Sequence, residues 1–494
     1  MRANLLFAFL GCFSFHSLFA QNADIQWGSS FKLPLPADIV YVGKEPGTEN
    51  SYWVTTEGTT KSLLKLDSNN TKLFYKKIEL KDTIGIASGK SIVILNCTIL
   101  KDRIVIFAIS CGSKKTDCEA FIHQLSFNGA DLSINKEIFK VKGESLTEYA
   151  LALSPDSSKF VVVENIQNQR DIRKHGFFIK TFDSKLNLLD SKDMYASDSN
   201  GLDYDRIDIE EVDLSNSGQV YILGRKIDLK NDERTVGFWT TGPLMKQLVD
   251  MPMELGENEL GDARCTLTKE GEVVVAGFYY KNDSISSDMR PYAGTCYGKV
   301  DKEKNKINFQ AFNALPKGLE PMPAKGYITD KLLSSIYKED GGMILFSEHV
   351  FFIAEQEHLG NVLIVNYEKD GTLTYSTAFF KDHHKHLLSY FVEYSFLPVY
   401  HNKAKTLKIV YNENPKNWGL TDEKLRVPMM FPNKSIPMIA TFDKGGKISQ
   451  QKLFEGTVNP NTVCPQLSKQ MEDNKAIVFG IQQKDLVVGD LILK

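Results

Sequence analysis

From about residue 38 to its C-terminus the chain repeats one pattern. Four short apolar runs are joined by tight turns after the first and third and by long, varied connections after the second and fourth. A four-run unit of this size cannot bury its hydrophobic faces alone, so successive units must stack against one another. Four antiparallel strands per unit, repeated around an axis, is the arrangement of a β-propeller blade. The third unit is the clearest. Runs at 149–153 and 159–163 flank the turn Ser154-Pro155-Asp156-Ser157-Ser158, and runs at 177–182 and 186–189 flank Asp183-Ser184-Lys185. Alternating apolar residues between polar turns mark half-buried strands. The turns recur along the chain, as Ser217-Gly218, Glu270-Gly271, Gly341-Gly342, Asn128-Gly129, Asp370-Gly371 and Gly445-Gly446. Gly, Asn and Asp tolerate the backbone angles that tight hairpins need.

Counting these units predicts an all-β chain folded as a single β-propeller over residues 21–494. Its blades fall at about 38–80, 90–141, 148–196, 208–254, 262–313, 331–381, 394–456 and 463–494. The last holds three runs only, and a strand at about 25–33 supplies the missing fourth. Pairing the two chain ends closes the ring and leaves no open sheet edge. Eight four-stranded blades are preferred. Seven are the alternative if one weak repeat is an insertion, and two stacked β-domains fit an orphan strand and an incomplete blade less well.

The first twenty residues read as a secretory signal, with Arg2, the apolar core Leu5-Leu6-Phe7-Ala8-Phe9-Leu10-Gly11, and Leu18-Phe19-Ala20 ahead of Gln21. Leu10-Gly11-Cys12 resembles a lipoprotein box, but the stretch before it is short and Phe9 fits poorly. The expected location is therefore exported, periplasmic or extracellular, with lipid anchoring the less favoured variant. No later apolar run approaches the ~20 residues that cross a bilayer as a helix. Export permits disulfides, and Cys111 and Cys118 bracket a turn across which they can pair. Cys97, Cys265 and Cys464 fall in first strands and read as small core residues. A net charge of -3 without a long basic run excludes a nucleic-acid footprint.

In a four-stranded antiparallel blade the second-to-third and blade-to-blade connections leave on the same rim. Here those are the long ones, among them 164–175, 225–235, 281–295, 348–360, 412–435, 197–209, 315–330 and 381–395. Function is expected on that rim. It gathers three candidate sites. The run Asp382-His383-His384-Lys385-His386 puts His383, His384 and His386 forward as transition-metal ligands, with His349 and His358 in the other same-face loop of that blade able to approach them, although a loop without fixed spacing reads more simply as solvated. The stretch 198–205 is dense in oxygen donors, as calcium sites are, without matching a calcium-loop pattern. The insertion at 412–432 carries Trp418, Arg426, Met429, Met430 and Phe431. It serves equally as a docking edge for a protein, with Trp418 also a platform for a sugar, or as a plug over the propeller mouth.

Catalytic signatures are lacking: no GxSxG elbow, HExxH helix or P-loop occurs. The carboxylates of the long-loop rim, such as Glu164, Asp262, Glu348 and Glu357, read as solvated surface. Ser154-Pro155-Asp156 resembles the turn of TolB-like and WD40-like propeller repeats. The signal ending in Ala-Gln and the Lys/Asn-rich composition resemble exported Bacteroidetes propellers. The resemblance implies an exported propeller that docks a protein partner, such as an accessory periplasmic subunit of an outer-membrane export or uptake machine; no cofactor is expected, with calcium or a transition metal the alternatives. The alternative is a glycan-binding or carbohydrate-active propeller that uses the central mouth of the same face.

Overall fold

Each predicted unit forms its own antiparallel sheet. The structure, a computed structural model, describes residues 23–33, 38–80, 91–111, 117–132, 136–142, 146–167, 176–195, 206–228, 233–241, 248–268, 270–281, 292–316, 327–353, 355–386, 393–420, 425–454, 462–482 and 485–493. Blades one to seven take their four strands in chain order. They run from Asp38–Lys44 to Lys72–Ile78, Ser91–Ile99 to Lys136–Lys142, Leu146–Leu153 to Leu188–Tyr195 and Arg206–Leu214 to Leu248–Asp250. Asn258–Leu267 to Lys306–Ala314, Tyr327–Tyr337 to Leu373–Phe379 and Phe396–His401 to Ile448–Lys452 follow. Blade eight joins Thr462–Val463, Lys475–Gln482 and Asp485–Leu493 to the N-terminal strand Ala23–Trp27.

That last pairing closes the ring. Ala23 faces Leu493 and Trp27 faces Gly489, and Gly28 and Phe31 donate to the carbonyls of Val488 and Leu486 at 2.8 and 3.1 Å. The chain is thus an all-β, eight-bladed propeller whose first and last strands share a sheet.

The core is divided into eight apolar layers, one between each neighbouring pair of blades. Val161 and Val163 pack toward blade four with Ile222 and Trp239. Phe160 and Val162, alternating with them, pack toward blade two with Phe107 and Ile122. A central strand is therefore covered on both faces, which is why it reads as a continuous apolar run rather than an alternating one. Closure repeats the same contact. Trp53 and Leu64 of blade one meet Ile477 and Phe479 of blade eight, with Phe31 and Leu33 between them.

The tight turns hold themselves by side-chain-to-backbone bonds. In the Ser154–Ser158 turn, the Ser154 hydroxyl donates to Asp156 Oδ1 at 2.6 Å and the Ser158 amide donates to the same oxygen at 3.0 Å. These donors hold the Asp156 carboxyl down, at about 2. The turn is a structural device with no surplus chemistry.

Candidate functional site

Blade six departs from its neighbours in length. Its second and third strands, Met343–Ile353 and Gln356–Tyr367, run past the ring as one long hairpin. The expectation of a loop at 348–360 is therefore corrected. Val350 faces Leu359 and Ile353 faces Gln356, so most of that span is paired strand. The histidine run is likewise not a free loop. His383–His386 forms a short strand against the hairpin, with His358 opposite His384 and Leu359 opposite His383. A fifth strand is added here because the hairpin's projecting edge leaves unpaired backbone groups that another strand can satisfy.

The blade-seven insertion lies on this fifth strand. The Met429 amide donates to the Asp382 carbonyl at 2.8 Å, and the His384 amide donates to the Met429 carbonyl at 3.1 Å. Beneath the junction Met429, Val350, Leu359 and Tyr394 form a ninth apolar cluster, outside the eight inter-blade layers. Met429 is buried in this cluster, while Met430 and Phe431 beside it are exposed.

Two buried ion pairs anchor the assembly. Arg426 Nη2 meets Glu413 Oε2 at 2.9 Å, and its Nη1 donates to the Phe380 carbonyl. Glu413 Oε1 accepts from the Asn417 side chain and the Asn414 amide, each at 2.8 Å. Burial raises the Glu413 carboxyl pKa against the opposing pull of Arg426. Arg426 is therefore an anchor, with a largely covered side chain. Lys381 pairs with Glu348 and donates to the Leu359 carbonyl at 3.1 Å. Both pairs are nearly solvent-free, and each sits where a non-ladder segment meets a blade.

The strand alternation divides the histidine run, since successive side chains point to opposite faces. His383 turns inward and is fully buried. Its Nδ1 accepts from the Ser395 amide at 3.2 Å, which places the proton on Nε2, bonded to the Asn412 carbonyl at 2.9 Å. Burial, then Lys381 nearby, holds its pKa well below the usual value. His386 is exposed near the end of the strand, 3.3 Å from Glu355. His384 lies 2.9 Å from Asp382 Oδ1, and its ring centre is 3.8 Å from that of His358. The three residues named from the sequence are therefore not held as one ligand set. His384 instead meets His358 and Asp382, and the ligand atoms of these three lie within 4.8 Å of one another. The sequence placed His358 on the same rim as the run, and strand pairing decides that it, rather than His383 or His386, meets His384.

Trp418 follows the short 3-10 turn Pro415–Asn417 and stands half-exposed, with Lys452 Nζ 5.5 Å from its ring centre. The backbone register sets Cys111 opposite Cys118, while their side chains lie outside the described residues, as does the acidic stretch 198–205. Cys97, Cys265, Cys296 and Cys464 are buried free thiols. Burial pushes Cys97 up to about 12, the behaviour of an inert core residue.

Further polar contacts lie in blades three to five. Arg225 is set between Glu210, at 2.8 Å, and Asp262, and the Tyr292 hydroxyl donates to Asp262. Glu164 accepts from the Tyr149 hydroxyl at 2.8 Å, and burial lifts its pKa to about 7. Glu211 is lifted to about 7 for the same reason and accepts from the Cys265 amide at 2.7 Å. Glu164 is 1% exposed, so it braces the strands rather than facing a substrate. The expectation of a solvated surface carboxylate is corrected for Glu164 and for Glu348, which is 2% exposed.

Fold and site together define a β-propeller with one elaborated rim. The sequence matches no protein-family model and no curated protein. Solved structures show only distant similarity. Puromycin hydrolase, as its S511A mutant complexed with PGG, aligns at TM-score 0.41 and 12% identity over 77% of this chain and 52% of its own. Apo prolyl oligopeptidase B from Galerina marginata aligns at TM-score 0.44 and 11% identity over 90% and 55%. The polysaccharide lyase Uly1 aligns at TM-score 0.43 and 12% identity over 80% and 89%. The chain spans about half the length of the two hydrolases, and likeness at this level transfers no activity.

Proposed function

We propose that this chain is a non-catalytic, exported propeller that docks a protein partner through the rim of blades six and seven. The carrying observation is where apolar surface is left uncovered. Of the fifteen large apolar side chains exposed among the described residues, seven belong to this region: Phe352, Ile353, Trp418, Leu420, Leu425, Met430 and Phe431. Scattered exposed apolar residues are ordinary, whereas a concentration of them is typical of interaction sites. The apolar tips stand on rigid supports, since the hairpin, the added strand and the insertion are tied by backbone bonds and the Arg426–Glu413 pair. Preorganised aromatic anchors lose little entropy on binding. The secretory signal and the resemblance to exported Bacteroidetes propellers favour a periplasmic partner, such as a component of an outer-membrane export or uptake machine.

The test is a pull-down from envelope extract with the wild-type chain and a Met430→Asp/Phe431→Asp variant. Both positions are exposed, so the variant should melt as the wild type does. A single stoichiometric partner retained by the wild type and lost by the variant supports the reading. Equal recovery with both chains refutes it. A glycan array in which the wild type binds one sugar class would instead favour the carbohydrate-active alternative.

A further inference from the structure

We propose that His358, Asp382 and His384 bind one divalent first-row transition ion, with zinc the expected occupant, leaving one coordination position open. The site is built by the fold. His358 lies on the third strand of blade six and His384 on the added strand directly opposite. Asp382 stands two residues before His384, on the same side of the strand by alternation.

Three observations point to a ligand rather than to a chance gathering of polar groups. First, the donor atoms of all three residues lie within 4.8 Å of one another. Zinc binds imidazole nitrogen and carboxylate oxygen at about 2.0–2.2 Å, so donors in a tetrahedral shell stand about 3.3 Å apart. Small side-chain rotations close the difference. Second, His358 is 6% exposed, and neither of its ring nitrogens has a hydrogen-bond partner among the described residues. A buried imidazole with no partner is costly unless something absent from the bare chain satisfies it. Third, its ring is already oriented. Phe351 stacks on it with centroids 4.5 Å apart and planes 18° apart, on the strand side away from His384.

Two imidazoles and one carboxylate form a borderline donor set that suits zinc and its first-row neighbours and disfavours calcium or magnesium. Asp382 and His384 are partly exposed, so the open position faces water or a ligand from another molecule. An ion here would lock the added strand to the hairpin. Through the His384–Met429 bond it would also stiffen the insertion. This inference does not rest on partner docking and is tested without a partner.

The experiment is equilibrium dialysis of the full chelator-treated chain against zinc chloride, followed by metal analysis and melting. Wild type should retain one zinc per chain and melt higher with zinc than without. His358→Ala and His384→Gln should each weaken zinc binding by more than about a hundredfold. His386→Ala, which alters an exposed residue paired with Glu355, should leave it unchanged. If His358→Ala proves unstable, the partly exposed His384→Gln supplies the same readout. Cobalt(II) should give the visible bands of a four-coordinate nitrogen and oxygen site, lost in His384→Gln. Wild type that retains no zinc, or a His384→Gln chain that binds it undiminished, overturns the assignment.

Discussion

Arg426→Ala removes the cation paired with a nearly buried carboxylate. The Glu413 side chain is 3% exposed. Its Oε1 keeps two N–H donors after the change, from Asn417 and Asn414, but Oε2 loses the guanidinium at 2.9 Å. Breaking a buried pair from one side costs about 3–5 kcal/mol, because a desolvated charge is left behind. The Phe380 carbonyl loses its donor as well. The penalty falls on a segment outside the ring's strand ladders, so the insertion is expected to open before the blades unfold. At ~1.4 kcal/mol per factor of ten, local opening should rise by a hundredfold to a few thousandfold. The assay is limited proteolysis within residues 414–435 under conditions where cleavage follows the open population, with melting of the whole chain measured beside it. Cleavage should accelerate strongly while the main transition moves little. Adding Glu413→Gln to Arg426→Ala should recover most of the loss, since it removes the stranded charge. Unchanged cleavage in the single variant, or no recovery in the double, would refute the claim that this pair anchors the insertion.

Further outcomes follow from closure and from burial. Phe31→Ala empties a 6%-exposed position between blades eight and one and should cost about 3–5 kcal/mol in denaturant unfolding. An unchanged midpoint would show that the N-terminal segment does not hold the ring shut. Glu164, lifted by burial from 4.5 to about 7, binds its proton more tightly folded than unfolded. The folded state is therefore favoured by this group below about pH 4.5, and the advantage is lost as pH rises to about 7. Glu164→Gln keeps an acceptor for Tyr149 and should be the more stable chain at pH 8, by about 3 kcal/mol, with the gap vanishing near pH 4.5. A pH-independent difference in unfolding free energy would show that Glu164 is not held neutral.

The propeller was legible in the sequence because strand periodicity and turn residues are local signals, repeated until their sum is unambiguous. The shared blade was legible for a similar reason: an incomplete unit at one end and a lone strand at the other complement each other. The site was only partly legible. Trp418, Met430 and Phe431 could be placed on the long-loop rim from connection length alone. That Met429 turns inward while its neighbours turn out depends on a bridge to Asp382, a residue 47 positions away in the chain.

The histidines make the same point more sharply. Read as a run, His383, His384 and His386 look like one ligand set. As a strand they are divided by alternation: His383 is spent on Ser395 and Asn412, and His384 faces His358. Sequence alone determined the architecture and the rim from which the long connections leave, because both follow from short-range pattern and connection length. Tertiary structure decided which side chains meet on that rim, because strand pairing brings together residues that no spacing rule connects.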